Sequence, residues 1–383
     1  MRITLIALHF AEYSCRLAAA LAKNHDVQLI LSQPNVSAEL EDEVQQFCSL
    51  PRLEFVVLPH RKSLSVLAGN TWRILRDVSR FRPDIIHSHE DPKDYLVAAL
   101  YFLCRRFPFV MTVHDPIPHS GHDAQVFHQT RHGYYQKLLR GWCDAAITHG
   151  NQLRDDLISV APHLKRRVAA IPHGPLGPVA SNGKAHEPNT LLFFGRINAY
   201  KGLRYFLEAV VSLNREGLPV KGIVAGRGDD LEPNRQLINE HAYFELHEEF
   251  VSREKVTELF SRAQLIVMPY TDATQSGVAA MAIGYRRPVI ATRVGSIPEM
   301  IMDGETGILV APKDSAALAG AIRKVLTDSG LYGRLATNLE AACNGPLGWE
   351  SIATATVTTY GSALARRAGG APAASQLSDG EVY

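Results

Sequence analysis

Cysteine is sparse in this 383-residue chain and never closely paired. Cys15, Cys48, Cys104, Cys143 and Cys343 are scattered, odd in number and include no C-x-x-C. A disulfide framework is not expected, and a reducing compartment is. Excess charge is missing as well. Forty basic and 39 acidic residues leave a net charge of +1, so no global field draws nucleic acid, and none is expected as a partner. No apolar run approaches the roughly 20 residues that span a bilayer. The opening MRITLIALHF starts a strand at once, without the charged segment and long apolar core of a secretory leader. Its loop HFAEYS has no G-x-G-x-x-G, which argues against a dinucleotide-dependent dehydrogenase. These absences predict a cytoplasmic protein, or one lying on the inner face of the cell membrane.

What is present is a long alternation. Buried-strand runs fall at 3–8, 27–31, 55–58, 84–87, 109–113, 145–148 and 167–171. Helical spacing falls between them at 14–21, 64–80, 95–103, 133–140 and 152–159. Strands alternating with helices predict parallel βαβ units. Residues 171–188 read IPHGPLGPVASNGKAHEP, a proline- and glycine-rich linker composition. A second series of strands follows at 191–194, 221–225, 247–251, 265–268, 289–292 and 307–310. The predicted class is α/β, with two Rossmann-like doubly wound parallel-sheet domains facing a cleft. Their expected bounds are 1–178 and 190–348, with a linker at 179–189. One more helix is expected at 349–366. The small, polar composition of 367–383 predicts disorder.

Three stretches carry chemistry. Residues 191–202, LLFFGRINAYKG, read strand, glycine turn, then helix. Gly195 ends the strand, and Arg196 and Lys201 sit in the turn. Ligands in open parallel sheets bind beyond the carboxyl ends of strands. A guanidinium fork and an ammonium there suit a diphosphate; two solvated surface cations are the plainer alternative. Residues 270–277, YTDATQSG, end a strand and open a helix. The free amides at Gln275, Ser276 and Gly277 would favour an anion, though a polar cap on a tight turn fits equally. Residues 293–300, RVGSIPEM, place Gly295 in a turn, Pro298 in the first turn of a helix, and Glu299 where it caps that helix or meets a ligand hydroxyl.

Together, G-R-x4-K-G at 195–202, the glycine loop at 274–277 and PVIATRVGSIPEMIMDGETGILV at 288–310 resemble the retaining glycosyltransferases of family 4, which have the GT-B fold. PDIIHSH at 83–89, TVHD at 112–115 and IPHG at 171–174 are compatible with it. The resemblance covers about residues 1–360. It implies transfer of a sugar from a nucleotide-sugar donor, a substrate and not a cofactor, to a glycan or lipid-linked acceptor with retention, in polysaccharide or glycoconjugate synthesis. It implies a diphosphate grip by Arg196 and Lys201, with His114 facing the transferred sugar as the third catalytic residue. The donor set it implies is Gly195, Arg196, Lys201, Gly226, Arg227, Val251, Thr274, Gln275, Ser276, Gly277 and Glu299. It also implies that 349–366 crosses back to the first domain. Neither cofactor nor metal is expected, since cations and amides neutralise the leaving diphosphate and no D-x-D pair is present.

The sequence departs from the family pattern in two places. Two glutamates eight apart usually flank the glycine loop. Their positions hold Ala273 and Met281, or Thr271 and Ala279 on the other alignment, with Asp272 adjacent. The first loop usually carries paired glycines and here reads His9-Phe10-Ala11-Glu12. The alternatives to a transferase are a nucleotide-sugar 2-epimerase on the same fold and a nucleotide-sugar-binding partner without turnover.

Thirteen of the 16 histidines precede residue 178. His87 and His89 alternate on a strand and so point the same way. His114, Asp115 and the loop with His119, His122, His128 and His132 follow. Imidazoles grouped at strand ends suit zinc or a hydrogen-bonding sugar site. The ligand spacing favours the second, and His9, Asp115 and His119 are assigned to acceptor binding. Residues 61–82 carry Arg61, Lys62, Arg73, Arg76, Arg80 and Arg82 against Asp77 alone, interleaved with Trp72 and leucines. The pattern suits peripheral contact with an anionic membrane, or an ordinary sheet-covering helix.

Overall fold

A computed structural model describes residues 1–40, 43–60, 64–91, 93–117, 131–177, 186–248, 252–273 and 275–369. The chain divides into two compact units. The first is Met1–Ile171 with the segment from Trp349 onward, and the second is Pro172–Gly348.

The first unit is a seven-stranded parallel sheet. Its strands are β1 (Arg2–Ala7), β2 (Asp26–Ser32), β3 (Leu53–Leu58), β4 (Ile85–His89), β5 (Phe109–Val113), β6 (Ala145–Thr148) and β7 (Val168–Ala170). They lie in the order β3-β2-β1-β4-β5-β6-β7. β4 and β5 are buried at every residue, as expected for parallel strands covered on both faces. The helix Leu64–Phe81 turns Ile74, Val78 and Phe81 inward and packs beside the helix Asp94–Leu103. The helix Trp349–Arg367 packs on Ala11–Ala22 and on β6.

The second unit is a six-stranded parallel sheet. Its strands are β8 (Thr190–Phe194), β9 (Lys221–Ala225), β10 (Phe244–His247), β11 (Leu265–Met268), β12 (Val289–Thr292) and β13 (Gly307–Val310). The order is β10-β9-β8-β11-β12-β13. Leu203, Phe206, Leu207, Val210 and Leu213 recur at helical spacing along Leu203–Arg215 and are all buried, which fixes that helix against the sheet. In each sheet the strand order reverses at a central pair, β1–β4 and β8–β11. Those are the switch points where the carboxyl edge opens a crevice.

Four elements of these two units differ from the sequence pattern. β4 runs on through His89, because His89 is in register with Thr112 of β5 and Glu90 N–H donates to the Thr112 carbonyl at 2.8 Å. β10 lies at Phe244–His247, not 247–251; residues 249–251 are outside the described residues. The Phe244 ring covers Gly222 of β9, where an added Cβ would sit 2.8 Å from the ring, and this sets the register. Two helices, Gln33–Glu39 and Val44–Cys48, were not expected. Neither buries a residue, so neither leaves an apolar period to read.

Candidate functional site

The carboxyl edge of the second sheet is built backbone against backbone. Gly195 ends β8 at φ 112°, and its N–H donates to the Ala225 carbonyl at 3.0 Å. Gly226 follows β9 at φ 138°, and a Cβ there would overlap the Gly195 carbonyl. Only glycine permits this approach. Ile197 N–H donates to Arg227 at 2.7 Å, and Thr271 N–H donates to Tyr200 at 2.7 Å. The loop 195–202 is thus clamped between the ends of β9 and β11.

That clamp fixes Lys201. Its side chain is 8% exposed. Nζ donates to the Tyr270 hydroxyl at 2.8 Å and lies 4.6 Å from the centre of that ring. Nζ is also 3.2 Å from where a Gly195 Cβ would be, so any larger residue there presses on the ammonium. The Tyr270 hydroxyl meets Ser276 Oγ at 3.3 Å. Ser276 in turn caps the helix Gly277–Gly284, its Oγ accepting from Ala279 N–H at 3.4 Å. The Thr292 hydroxyl of β12 donates to the Tyr270 carbonyl at 2.5 Å. Arg196 is exposed in the same loop as Lys201, and neither cation forms an ion pair with a described carboxylate. A buried ammonium without a counterion costs free energy that an arriving anion offsets.

The other donor residues expected from sequence lie on the same edge. Gly226 and Arg227 follow β9, and Gln275, Ser276 and Gly277 open a helix after β11. Glu299 is exposed in the short helix Ile297–Met300 after β12. Val251 and Thr274 lie outside the described residues. Ala273 and Ala279 are buried in the core around this helix. Tyr270 is the residue that sequence reasoning missed; its place beyond the end of β11, the neighbour of β8, was the available signal.

The carboxyl edge of the first sheet is made of rings. His114 follows β5, and its Nε2 lies 2.9 Å from Nδ1 of His89. Phe10 stacks on His114 with ring centres 3.9 Å apart. Phe10 stands at φ 60°, the left-handed conformation that a glycine would adopt freely and that costs an aromatic residue roughly 1–2 kcal/mol. Tyr13 meets His89, His114 and His149 edge-on. His87 is a core residue: its two nitrogens meet the Tyr360 and Thr112 hydroxyls, each at 2.7 Å. Burial holds its pKa down at about 3.

His9 ends the loop after β1, with Nε2 3.5 Å from Asp91, a buried carboxylate that Lys93 also approaches at 3.3 Å. Asp115 is exposed next to His114. Arg140 braces this edge. It binds Glu90 with two donors, at 2.6 and 2.9 Å, and donates to the Pro116 carbonyl at 3.2 Å. Burial raises the Glu90 pKa against the lowering effect of Arg140. His119 lies outside the described residues, as do His122 and His128. Among the described residues no three His, Cys, Asp or Glu side chains are disposed around a metal position. Asp91, Glu90, Phe10 and Ser14 were not expected from sequence.

Two family models match the chain. Glycosyltransferase Family 4 covers residues 11–174, and Glycosyl transferases group 1 covers residues 188–328. The glycogen synthase of Mycobacterium tuberculosis is 27% identical over 306 residues, 77% of this chain and 72% of that protein. The alpha-D-kanosaminyltransferase of Streptomyces kanamyceticus is 31% identical over 150 residues, 39% of each protein. The Anabaena HepE protein, solved in complex with UDP-glucose, shares the fold at TM-score 0.69 and 16% identity, over 94% of this chain and 99% of that one. The chain is a glycosyltransferase with the GT-B fold.

Proposed function

We propose that the protein transfers a sugar from a nucleoside-diphosphate sugar to a glycan or lipid-linked acceptor, with retention of the anomeric configuration, in bacterial polysaccharide or glycoconjugate synthesis. The observation that carries this is Lys201, a buried ammonium without a described carboxylate partner, at a glycine-clamped strand end beside Arg196. A donor diphosphate supplies the missing negative charge. Arg196 offers it a planar fork, Lys201 a point charge, and the amides of 275–277 a helix N-terminus. The HepE complex with UDP-glucose on the same fold, and the names of the curated relatives, support a nucleotide-sugar donor and a saccharide product.

The chemistry asks for stabilisation of charge growing on the leaving diphosphate, and preorganised donors supply it. The acceptor oxygen bonds to the anomeric carbon on the face the diphosphate leaves, and its proton passes to a diphosphate oxygen. His114 faces the transferred sugar, and His9 and Asp115 bind the acceptor. The two cations stand in for a metal, so turnover persists in EDTA.

Acceptors on lipid carriers call for a membrane contact, and the helix Leu64–Phe81 is its site. Trp72 is 60% exposed beneath the Arg76 guanidinium, 4.9 Å from its ring centre. Tyr101 and Phe102 are exposed on the neighbouring helix, followed by Arg105 and Arg106. Residues 61–63 lie outside the described residues, and among the described residues no helix is long and apolar enough to cross a membrane.

The test is sugar release and transfer from a panel of UDP- and GDP-sugars. Transfer from at least one donor, with the anomeric configuration kept, is the expected result. Inversion, or release with no dependence on Arg196 and Lys201, contradicts the proposal.

A further inference from the structure

Four groups of the first unit form a hydrogen-bonded line that ends on His114. The Ser14 hydroxyl lies 2.7 Å from the Phe10 carbonyl, one turn back on its own helix. A carbonyl only accepts, so the single hydroxyl proton of Ser14 is committed to it. Ser14 Oγ is also 3.3 Å from His89 Nε2. With its proton spent, Oγ can only accept there, so His89 carries its proton on Nε2. A neutral His89 then has a bare Nδ1. That atom lies 2.9 Å from Nε2 of His114, which must donate to it. Both imidazoles and Ser14 are buried, so water does not compete for these bonds.

We infer that Ser14 and His89 are positioning residues that hold His114 in its Nε2–H tautomer, leaving Nδ1 as the nitrogen that accepts. The ring cannot swing away, because Phe10 stacks on one face at 3.9 Å and Tyr13 and His149 close on its edges. Phe10 serves twice: its ring holds His114 in plane, and its carbonyl sets the first bond of the line. The consequence for turnover rests on the reading of His114 as the group that faces the sugar. On that reading the fixed tautomer sets which ring nitrogen can donate and which can accept.

The tautomers are read directly by long-range nitrogen–proton correlation on the full-length protein labelled with ¹⁵N-histidine, with His114 assigned from its absence in H114Q. The wild type is expected to show His114 as Nε2–H. Ser14→Ala releases the His89 tautomer without touching His114, and His114 is then expected to show a mixture or the Nδ1–H form. His89→Asn places a carbonyl oxygen near the former Nδ1 and is expected to keep His114 as Nε2–H, whereas His89→Leu is not. Transfer by S14A is expected to fall about tenfold in kcat/KM, the worth of one neutral hydrogen bond, with nucleotide affinity unchanged. An Nδ1–H His114 in the wild type, an imidazolium at His89, or a His114 signature in S14A and H89L that is the same as in the wild type overturns the inference. The two readings separate cleanly. If H114A turns over normally while the tautomer pattern holds, the sugar-facing role of His114 falls and the line of bonds stands.

Discussion

The two sheets share a topology and differ at their carboxyl edges. The edge of the second sheet is glycine, carbonyl and cation: Gly195 and Gly226 touch backbone to backbone, and Lys201 points its ammonium at a neutral phenol. The edge of the first sheet is imidazole and aromatic ring, with His89, His114, His149, Phe10 and Tyr13 in ring contact and a hydrogen bond joining His89 to His114. On the function proposed, the difference matches what each edge would bind. A diphosphate is a compact charge that amides and cations can read without shape-specific side chains. A sugar and its acceptor present hydroxyls, and discriminating among hydroxyls needs side chains held in one tautomer and one pose.

The contrast breaks first at the cations. Replacing Arg196 with Ala or Lys201 with Met is expected to lower kcat/KM by about 10²–10³-fold, the usual cost of one preorganised charge-stabilising donor, measured by initial rates at fixed acceptor. Lys201→Met carries a second expectation. Because the ammonium has no described carboxylate partner, the unliganded variant unfolds at the same temperature as the wild type or higher, in a thermal melt.

The other edge breaks differently. His87→Leu leaves the Tyr360 and Thr112 hydroxyls buried without their partner. It is expected to lose about 1–3 kcal/mol of stability in denaturant titration, with unchanged nucleotide affinity. The same residue gives a pH signature. His87 has a folded pKa of about 3 against an ordinary 6.5, so between those values the unfolded chain binds the proton and the native protein does not. Stability is undiminished above about pH 6.5 and falls as pH drops toward 3, at up to about 1.4 kcal/mol per unit. His87→Leu flattens that slope.

Smaller effects sharpen the comparison. Arg73→Ser with Arg76→Ser is expected to weaken binding to anionic vesicles by about 1 kcal/mol per arginine at low salt, measured by co-sedimentation, and to leave transfer to a soluble acceptor unchanged. Asp77 tempers this, since it already pairs with Arg76 at 2.7 Å and Arg73 at 3.7 Å. The smallest expected effect is that of EDTA, which leaves the rate where it was.

The second sheet was the more legible in sequence. A strand ending in glycine with Arg and Lys in its turn announces itself locally, since Gly195, Arg196 and Lys201 fall within seven positions. Tyr270, 69 residues from its partner Lys201, did not, because only the β8–β11 pairing brings the two together. The line from Ser14 through His89 to His114 was hidden for the same reason: it joins a helix to two strand ends across 75 and 25 residues. Phe10 was visible only as a departure from paired glycines; its φ of 60° lies in the left-handed region that glycine adopts freely, and its ring contacts His114. His87 and His89 were correctly placed on one face of a strand, yet two residues of spacing separate a core histidine from one at the site.

The most direct test is isothermal titration of the wild type and of K201M with UDP, GDP and ADP, each compared with its parent nucleoside. The wild type is predicted to bind at least one diphosphate far more tightly than the nucleoside, and K201M to lose most of that difference while remaining folded. A wild type that binds no nucleoside diphosphate, or a K201M that binds one equally well, contradicts the claim that Lys201 awaits the donor's diphosphate.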